Sequence, residues 1–219
     1  TRGGRTSTTS SAIVRIHASI VSSNEAAPRG TSYRARVIEL PESHRAVCVG
    51  RPLAIGDIAT LDAAHVARLR IRDVKPKEAF TLVDASGTFF RATLRALEAR
   101  GGEALVYEAM PASPESPIAI TLVCAVLARQ RMMTVVQKAT ELGVTRIVPA
   151  ITERSVQASG LEHEKAHAWP GQVVRAARQC RRATLPEIRA AMPLAMILDD
   201  ASFLAADRRV YLDDRVAVT

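Results

Sequence analysis

The sequence predicts an α/β protein in two parts, a small β-barrel followed by a parallel sheet that helices cross. Residues 118–127 form an almost unbroken apolar run, and residues 145–151 are rich in β-branched side chains, as buried strands are. Between them, five apolar residues recur at helical spacing: Met132, Val135, Val136, Ala139 and Leu142. Strand, helix and strand in this order indicate a βαβ unit.

The polar side chains of this unit allow two interpretations. Thr134, Gln137, Lys138 and Glu141 recur on another face of the predicted helix, and Gly143 stands where a left-handed residue commonly ends a helix. The second strand is followed by Thr-Glu-Arg at residues 152–154, at the carboxyl end where open parallel sheets place their ligands. A solvated helix face and an ordinary strand exit would explain the same residues.

The first part reads as short strands with turns and one helix. Strands are predicted at residues 34–40, 57–61, 80–83, 88–97 and 105–109. Asp62 is predicted to cap a helix that runs to Arg70. This pattern predicts a small β-barrel domain over residues 32–112. Three prolines between residues 111 and 117 then indicate a linker.

The second part, residues 116–219, continues after the βαβ unit with two more predicted helices and a strand. One helix begins at Pro170, and its apolar side contains Val173, Ala176, Ala177 and Cys180. Another begins at Pro193, with a predicted buried stripe of Ile197, Leu198, Ala201 and Leu204. Residues 209–212 are predicted to form a further strand.

The positive charge of the chain is concentrated in two stretches. The net charge is +8, of which residues 1–36 contribute +5 and residues 129–182 contribute +6, balanced by acidic stretches elsewhere. This asymmetry suggests a polyanionic partner, most simply nucleic acid, although a basic protein without such a partner is the alternative. Residues 1–31 are rich in Ser, Thr, Arg and Gly and are predicted to be a disordered basic tail. A basic arm or an organellar transit peptide would also fit that composition.

The cysteine pattern indicates a reducing compartment, and the hydropathy predicts no membrane span. Cys48, Cys124 and Cys180 are far apart and include no C-x-x-C pair, which argues against a zinc site and a disulfide framework. His163 and His167 are one helical turn apart, but no third ligand is evident, so no metal is predicted. No stretch is long and apolar enough to span a bilayer. We therefore expect a cytoplasmic protein without a membrane partner.

Several segments resemble a known family. QKATELGV at residues 137–144, followed by TERSV at residues 152–156, resembles the ribosomal RNA small subunit methyltransferase E family. RAARQCRRATLPEI, residues 175–188, is similar to that family's helix ending in Glu-Gln-Ser/Cys-Gly-Arg. DAAHVARLRIRDV and LVDASGTFFRATL are similar to the helix and hairpin of its PUA-like domain. The resemblance extends roughly from Tyr33 to the C-terminus.

The resemblance implies a fold and an activity. It implies a PUA-like RNA-binding domain followed by a SPOUT-type α/β methyltransferase domain. The activity implied is methylation of uridine N3 in 16S rRNA of the small ribosomal subunit, with S-adenosyl-L-methionine as the methyl donor. The family also forms homodimers through its knotted domain. A non-catalytic RNA-binding module is the first alternative, and an unrelated α/β enzyme is the second.

The same resemblance implies which residues carry the function. Arg154, Gln179 and Arg182 are the candidates for the active site or the RNA site. Further RNA-binding positions are Arg131, Lys138, Arg175, Arg178 and Arg181. Methyl transfer needs mainly alignment and electrostatic stabilisation, which suits arginine and glutamine side chains. Lys138 and Glu141 would equally form a stabilising helix pair.

The sequence departs from the family pattern in two ways. Arg178 stands where the family has Glu, and Arg181 where it has Gly. The Gly-Pro-Glu-Gly-Gly turn and the Leu-Arg-x-Glu-Thr-Ala segment of the family's C-terminal trefoil knot do not occur. We therefore expect an incomplete methyltransferase domain, with the donor site in a missing C-terminal segment. We also expect the chain as given to be inactive and its dimerisation to be doubtful.

Overall fold

The first of two sheets has five strands and lies in the stretch of the chain for which a small β-barrel is predicted. The computed structural model describes residues 12–18 and 40–212. The strand order is β2-β4-β5-β6-β3, with the following bounds: β2 Val47–Cys48, β3 Ile58–Leu61, β4 Ala79–Val83, β5 Phe89–Leu97 and β6 Gly102–Ala109. Neighbours are antiparallel except β2 and β4, which are parallel. The predicted strand at residues 34–40 falls almost entirely outside the described residues.

Buried and partly exposed side chains alternate along β5, so that one face of this strand lies in the core of the first sheet. Phe90, Ala92 and Leu94 are buried, while the residues between them are partly exposed. Helix α1, Ala63–Ile71, covers the sheet and begins with a capping box. In that box the Asp62 carboxylate accepts from the backbone N–H of His65 at 2.9 Å, and the His65 ring accepts from the backbone N–H of Asp62 at 3.1 Å. The predicted cap is thus confirmed.

The second sheet contains the predicted βαβ unit. Its strands are β1 Ala12–Ala18, β7 Ile118–Ala125, β8 Arg146–Ile151, β9 Glu187–Ile188, β10 Met192–Pro193 and β11 Arg208–Tyr211. The order is β10-β8-β7-β1-β11, and β9 also pairs with β8. Strands β7, β8, β9 and β10 are parallel, and β1 is antiparallel to both β7 and β11. Helices α2, Arg129–Glu141, and α3, Trp169–Cys180, are the crossovers.

Strand β1 lies in the stretch for which the sequence predicts a disordered tail. It pairs with β7 over seven residues, from Ala12 with Cys124 to Ala18 with Ile118. For these residues the prediction differs from the structure. Local composition favoured disorder, whereas the pairing depends on a strand that lies about 100 residues further along the chain. The rest of residues 1–31 lies outside the described residues.

Helix α2 buries most of its predicted apolar stripe. Met132 and Val136 are fully buried and Ala139 is nearly so, whereas Leu142 is 77% exposed. The prediction for Leu142 is wrong because α2 ends at Glu141, and Gly143 with φ of +87° then turns the chain away. Gly143 is confirmed as the left-handed residue after the helix. The buried Thr140 hydroxyl donates to the carbonyl of Val136.

The predicted helix after Pro193 is two short helices, α4 Leu194–Leu198 and α5 Ala201–Leu204. Asp200 separates them, since it is extended and its carboxylate accepts from the backbone N–H of Ser202 as the cap of α5. The buried residues are Ile197 and Phe203, while Leu198 and Leu204 are exposed. The predicted stripe is therefore wrong beyond Ile197, because the break changes which residues face the sheet. Among the described helices, none is long and apolar enough to cross a membrane.

Candidate nucleic-acid interface

One group of predicted site residues lies at the carboxyl end of β7 and β8. Helix α2 begins directly after β7, and the backbone N–H of Arg129 donates to the carboxylate of Glu164 at 2.5 Å. Arg131 is exposed in the first turn of α2. Arg154 is exposed in the turn after β8, which is closed by the bond from the Thr152 N–H to the Ser155 hydroxyl. The predicted position of Arg154 at this edge is confirmed.

Arg182 lies inside the protein. Its side chain is 5% exposed, and it donates to the Glu115 carboxylate at 2.7 Å and to the carbonyls of Thr140 and Val144. The Glu115 carboxylate also accepts from the backbone N–H and the hydroxyl of Thr184. Burial alone would raise the pKa of Glu115, but the Arg182 charge and these hydrogen bonds outweigh it and hold that pKa below its ordinary value. Internal groups thus already occupy the guanidinium of Arg182, the residue predicted as a candidate for the active site or the RNA site.

Arg178 joins the two sheets. Its guanidinium donates to the carboxylates of Asp73 and Glu78, each at 2.8 Å, and both residues belong to the first sheet's part of the chain. Two acidic partners neutralise a charge that the sequence analysis counted toward RNA binding. Arg178, which was predicted as an RNA-binding position, thus already binds two carboxylates across the junction between the two sheets.

Arg72 is a second buried arginine at the junction. It donates to four backbone carbonyls nearby and to that of Ala183 in the second part of the chain. Burial away from water lowers the pKa of Arg72 to about 10, and the neighbouring Arg68 adds to the shift. With that pKa the Arg72 guanidinium is still charged near neutral pH. Arg72 therefore bonds to both parts of the chain as a cation.

The outward faces of α2 and α3 carry a connected set of polar groups. Gln137 donates to Glu141 at 2.8 Å, Gln172 donates to Gln137 at 3.3 Å, and Arg175 donates to Gln172 at 2.7 Å. Lys138 pairs with Glu141 at 2.6 Å, as one of the two interpretations of the sequence had it. Arg131 is seven residues before Lys138 and Gln179 four after Arg175, so each lies on the same helix face as its neighbour. We call this surface the α2–α3 strip: Arg131, Lys138, Gln172, Arg175 and Gln179.

The three predicted active-site candidates are not brought together. Helix α3 begins beside the carboxyl end of the sheet, where Glu164 contacts α2, and leads to β9. Its twelve residues span about 18 Å at about 1.5 Å per residue. Gln179 and Arg182 therefore lie toward the amino end of the sheet, near Val144, whereas Arg154 lies at the carboxyl end.

Glu115 is the residue of this region that sequence reasoning missed. It is the only acidic residue in the proline-rich linker, and its carboxylate accepts from Arg182, Thr184 and the backbone N–H of Ala183. The sequence offered one signal for it, which is that Glu115 is a single carboxylate among prolines. Its partners lie almost seventy residues away, which local spacing does not reveal.

Comparison with known proteins finds a known domain in the second part of the chain. Residues 114–217 match a family model described as an RNA methyltransferase domain. The ribosomal RNA small subunit methyltransferase E of Aquifex aeolicus is 29% identical over 147 residues, which are 67% of this chain and 63% of the relative. The protein of the same name from Synechocystis is 28% identical over 141 residues, 64% of this chain and 45% of the relative. The chain thus spans less than two thirds of the length of these curated relatives.

A crystal structure gives a further similarity in sequence. It is that of a ribosomal RNA small subunit methyltransferase E from Neisseria gonorrhoeae bound to S-adenosyl methionine, 31% identical to this chain. The match covers 71% of this chain and 66% of that one, with a TM-score of 0.43. Because this TM-score is low, the assignment depends on the sequence matches.

The matched domain, the parallel βαβ unit and the basic helix faces together define a protein with an RNA methyltransferase domain. Both curated relatives have the same name, ribosomal RNA small subunit methyltransferase E, so the similarity points to one kind of RNA methyltransferase. The chain resembles the ribosomal RNA small subunit methyltransferase E proteins.

Proposed function

We propose that this protein methylates N3 of a uridine in 16S rRNA of the small ribosomal subunit, with S-adenosyl-L-methionine as the methyl donor. The matched RNA methyltransferase domain and the similarity to methyltransferase E proteins are the observation that carries this proposal. The exposed cations of the α2–α3 strip support it, because phosphate neutralisation by Lys and Arg supplies most of the affinity for RNA. Three unlinked cysteines favour the cytoplasm as its compartment.

The exposed candidates can act on the RNA in two ways. Arg131, Lys138 and Arg175 hold the phosphate backbone, and the Gln179 amide offers both donors and an acceptor to a base edge. Methylation of N3 requires that its proton leave. The Arg154 guanidinium is an exposed cation that would stabilise the resulting anion if the uracil lay at the carboxyl end of the sheet.

The described residues do not provide a fitting pocket for the methyl donor. Four arginines line the groove between the two sheets, and they would repel a positively charged sulfonium. A second groove, between the sheet and α4 and α5, is small and open to solvent, so it lacks the enclosed space of a usual cofactor-sized pocket. We therefore assign no donor-binding residue among residues 40–212.

The organisation of the protein is part of the same proposal. We assign residues 32–112 to a PUA-like RNA-binding domain and residues 116–219 to a SPOUT-type methyltransferase domain that forms homodimers. The mostly antiparallel first sheet and the four parallel strands of the second sheet support this division. Small-subunit rRNA would then contact both parts.

Nucleoside analysis of rRNA tests the proposed reaction. Deleting the gene should remove one 3-methyluridine from 16S rRNA, detected by mass spectrometry of the digested nucleosides, and restoring the gene should bring it back. An unchanged content of 3-methyluridine would contradict the proposal. If the purified chain nevertheless bound 16S rRNA, that outcome would favour the alternative of a non-catalytic RNA-binding module.

A further inference from the structure

Arg181 occupies a backbone position that favours glycine. It follows α3 with φ of +56° and ψ of +40°. The N–H of Arg182 donates to the carbonyl of Ala177 and that of Arg181 to the carbonyl of Arg178, which is the Schellman pattern that ends many helices. Glycine takes this left-handed conformation without the steric cost that a Cβ atom imposes. Helix α2 ends in the same pattern with Gly143 at the equivalent position.

The turn around Arg181 is fixed from the opposite sheet. The Arg181 carbonyl accepts from the Thr81 hydroxyl at 2.9 Å and from the Arg91 guanidinium at 2.8 Å, and both donors belong to the first sheet. The left-handed conformation therefore cannot relax without losing contacts between the sheets. A side chain here is held at the rim of the groove that Arg72, Arg178 and Arg182 also line.

The side chain of Arg181 is not used inside the protein. Asp73 ends α1 in the same left-handed pattern, and its carboxylate accepts from Arg178. Within residues 40–212, by contrast, the Arg181 guanidinium has no hydrogen bond or ion pair, although the other three arginines of the groove are all engaged. Asp73, Glu78 and Glu115 offset charges in this groove, and Arg181 adds a positive charge that no described carboxylate contacts.

We propose that Arg181 binds a phosphate group of the RNA backbone at the junction of the two sheets, so that the RNA contacts both parts of the protein at once. This inference rests on the proposed function. A guanidinium presents a planar fork that matches phosphate oxygens, and at an exposed position it remains available to them. This role accounts for an arginine in a left-handed conformation that favours glycine, because its positive charge binds the RNA phosphate.

Two glycine variants separate the position of Arg181 from the general effects of backbone strain and net charge. Lys165 is exposed, has φ of +54° and ψ of +46°, and lies in the same hydrogen-bond pattern outside the groove. Both Arg181→Gly and Lys165→Gly relieve the strain and remove one positive charge, so each should raise the Tm by about 2 °C. With a 16S rRNA transcript as the probe, Arg181→Gly should weaken binding about three- to tenfold and lower the salt slope by about one. Lys165→Gly should bind like the wild type, and Arg181→Lys should retain most of the affinity.

The outcomes distinguish this inference from the proposed function. Equal affinity of Arg181→Gly and the wild type would overturn the inference alone, as would an equal loss in Lys165→Gly. A wild-type chain that does not bind the transcript would overturn the proposed RNA binding together with it. Inorganic phosphate that raises the Tm of the wild type but not of Arg181→Gly, without any difference in RNA affinity, would assign the position to a free anion instead.

Discussion

Arg182 and Glu115 are buried together, and each supplies the charge that makes burial of the other tolerable. Replacing Arg182 with alanine leaves the Glu115 carboxylate buried and frees the carbonyls of Thr140 and Val144. We expect a loss of about 3–5 kcal/mol in the free energy of unfolding, because a buried charge without its partner is costly. Urea unfolding measures this loss.

The matched control for that experiment is Arg175→Ala, since Arg175 is exposed on α3, the helix that ends two residues before Arg182. It should change the free energy of unfolding by at most about 0.5 kcal/mol. Similar values for the two variants would show that the burial of Arg182 does not matter to the fold.

The lowered pKa of Glu115 makes a second prediction at this scale. The folded carboxyl group binds protons less readily than the unfolded one, so it contributes stability that is complete above its ordinary pKa of 4.5. That contribution is lost as the pH falls through the lowered folded value. Unfolding measured between pH 7 and pH 3 should therefore show a steeper loss for the wild type than for Glu115→Gln. Parallel curves would contradict the assignment.

Helix α2 shows which features of an element can be predicted from its sequence. Val136 is fully buried, whereas Lys138 is exposed and pairs with Glu141. We expect Val136→Asp to cost several kcal/mol, because an unpaired carboxylate would enter a dry core, and Lys138→Ala to cost less than about 1 kcal/mol. Thermal unfolding of the two variants checks this. Two equally mild substitutions would mean that the buried face is misassigned.

Periodicity predicted the buried face of α2 correctly because that signal is local, with every residue reporting on its neighbours one turn away. It failed at Leu142, where the end of the helix decides the exposure of the side chain. It failed again after Ile197, because the Asp200 cap replaced one predicted helix with two short ones. Strand β1 was missed for a related reason, since its partners come from distant parts of the chain.

At the scale of the whole molecule, the junction between the sheets separates arginines that look alike in the sequence. The family resemblance implied RNA-binding roles for Arg175 and Arg178 and a place in the active site or the RNA site for Arg182. The structure leaves Arg175 exposed, pairs Arg178 with two carboxylates of the first sheet and buries Arg182 against Glu115. Those partners lie between 67 and 105 residues away, so no local pattern could distinguish a paired arginine from an exposed one. The family resemblance identified the helix but not the use of each charge.

The salt dependence of binding to 16S rRNA tests most directly whether the exposed cations of the α2–α3 strip form the RNA surface. The triple variant Arg131→Gln, Lys138→Gln and Arg175→Gln should melt at nearly the same temperature as the wild type. Its affinity should fall, and the slope of log K against log salt should decrease by about two to three. The matched variant Arg131→Lys, Lys138→Arg and Arg175→Lys keeps the charge and should bind with nearly the wild-type slope. A folded triple glutamine variant with unchanged affinity and slope would contradict the account.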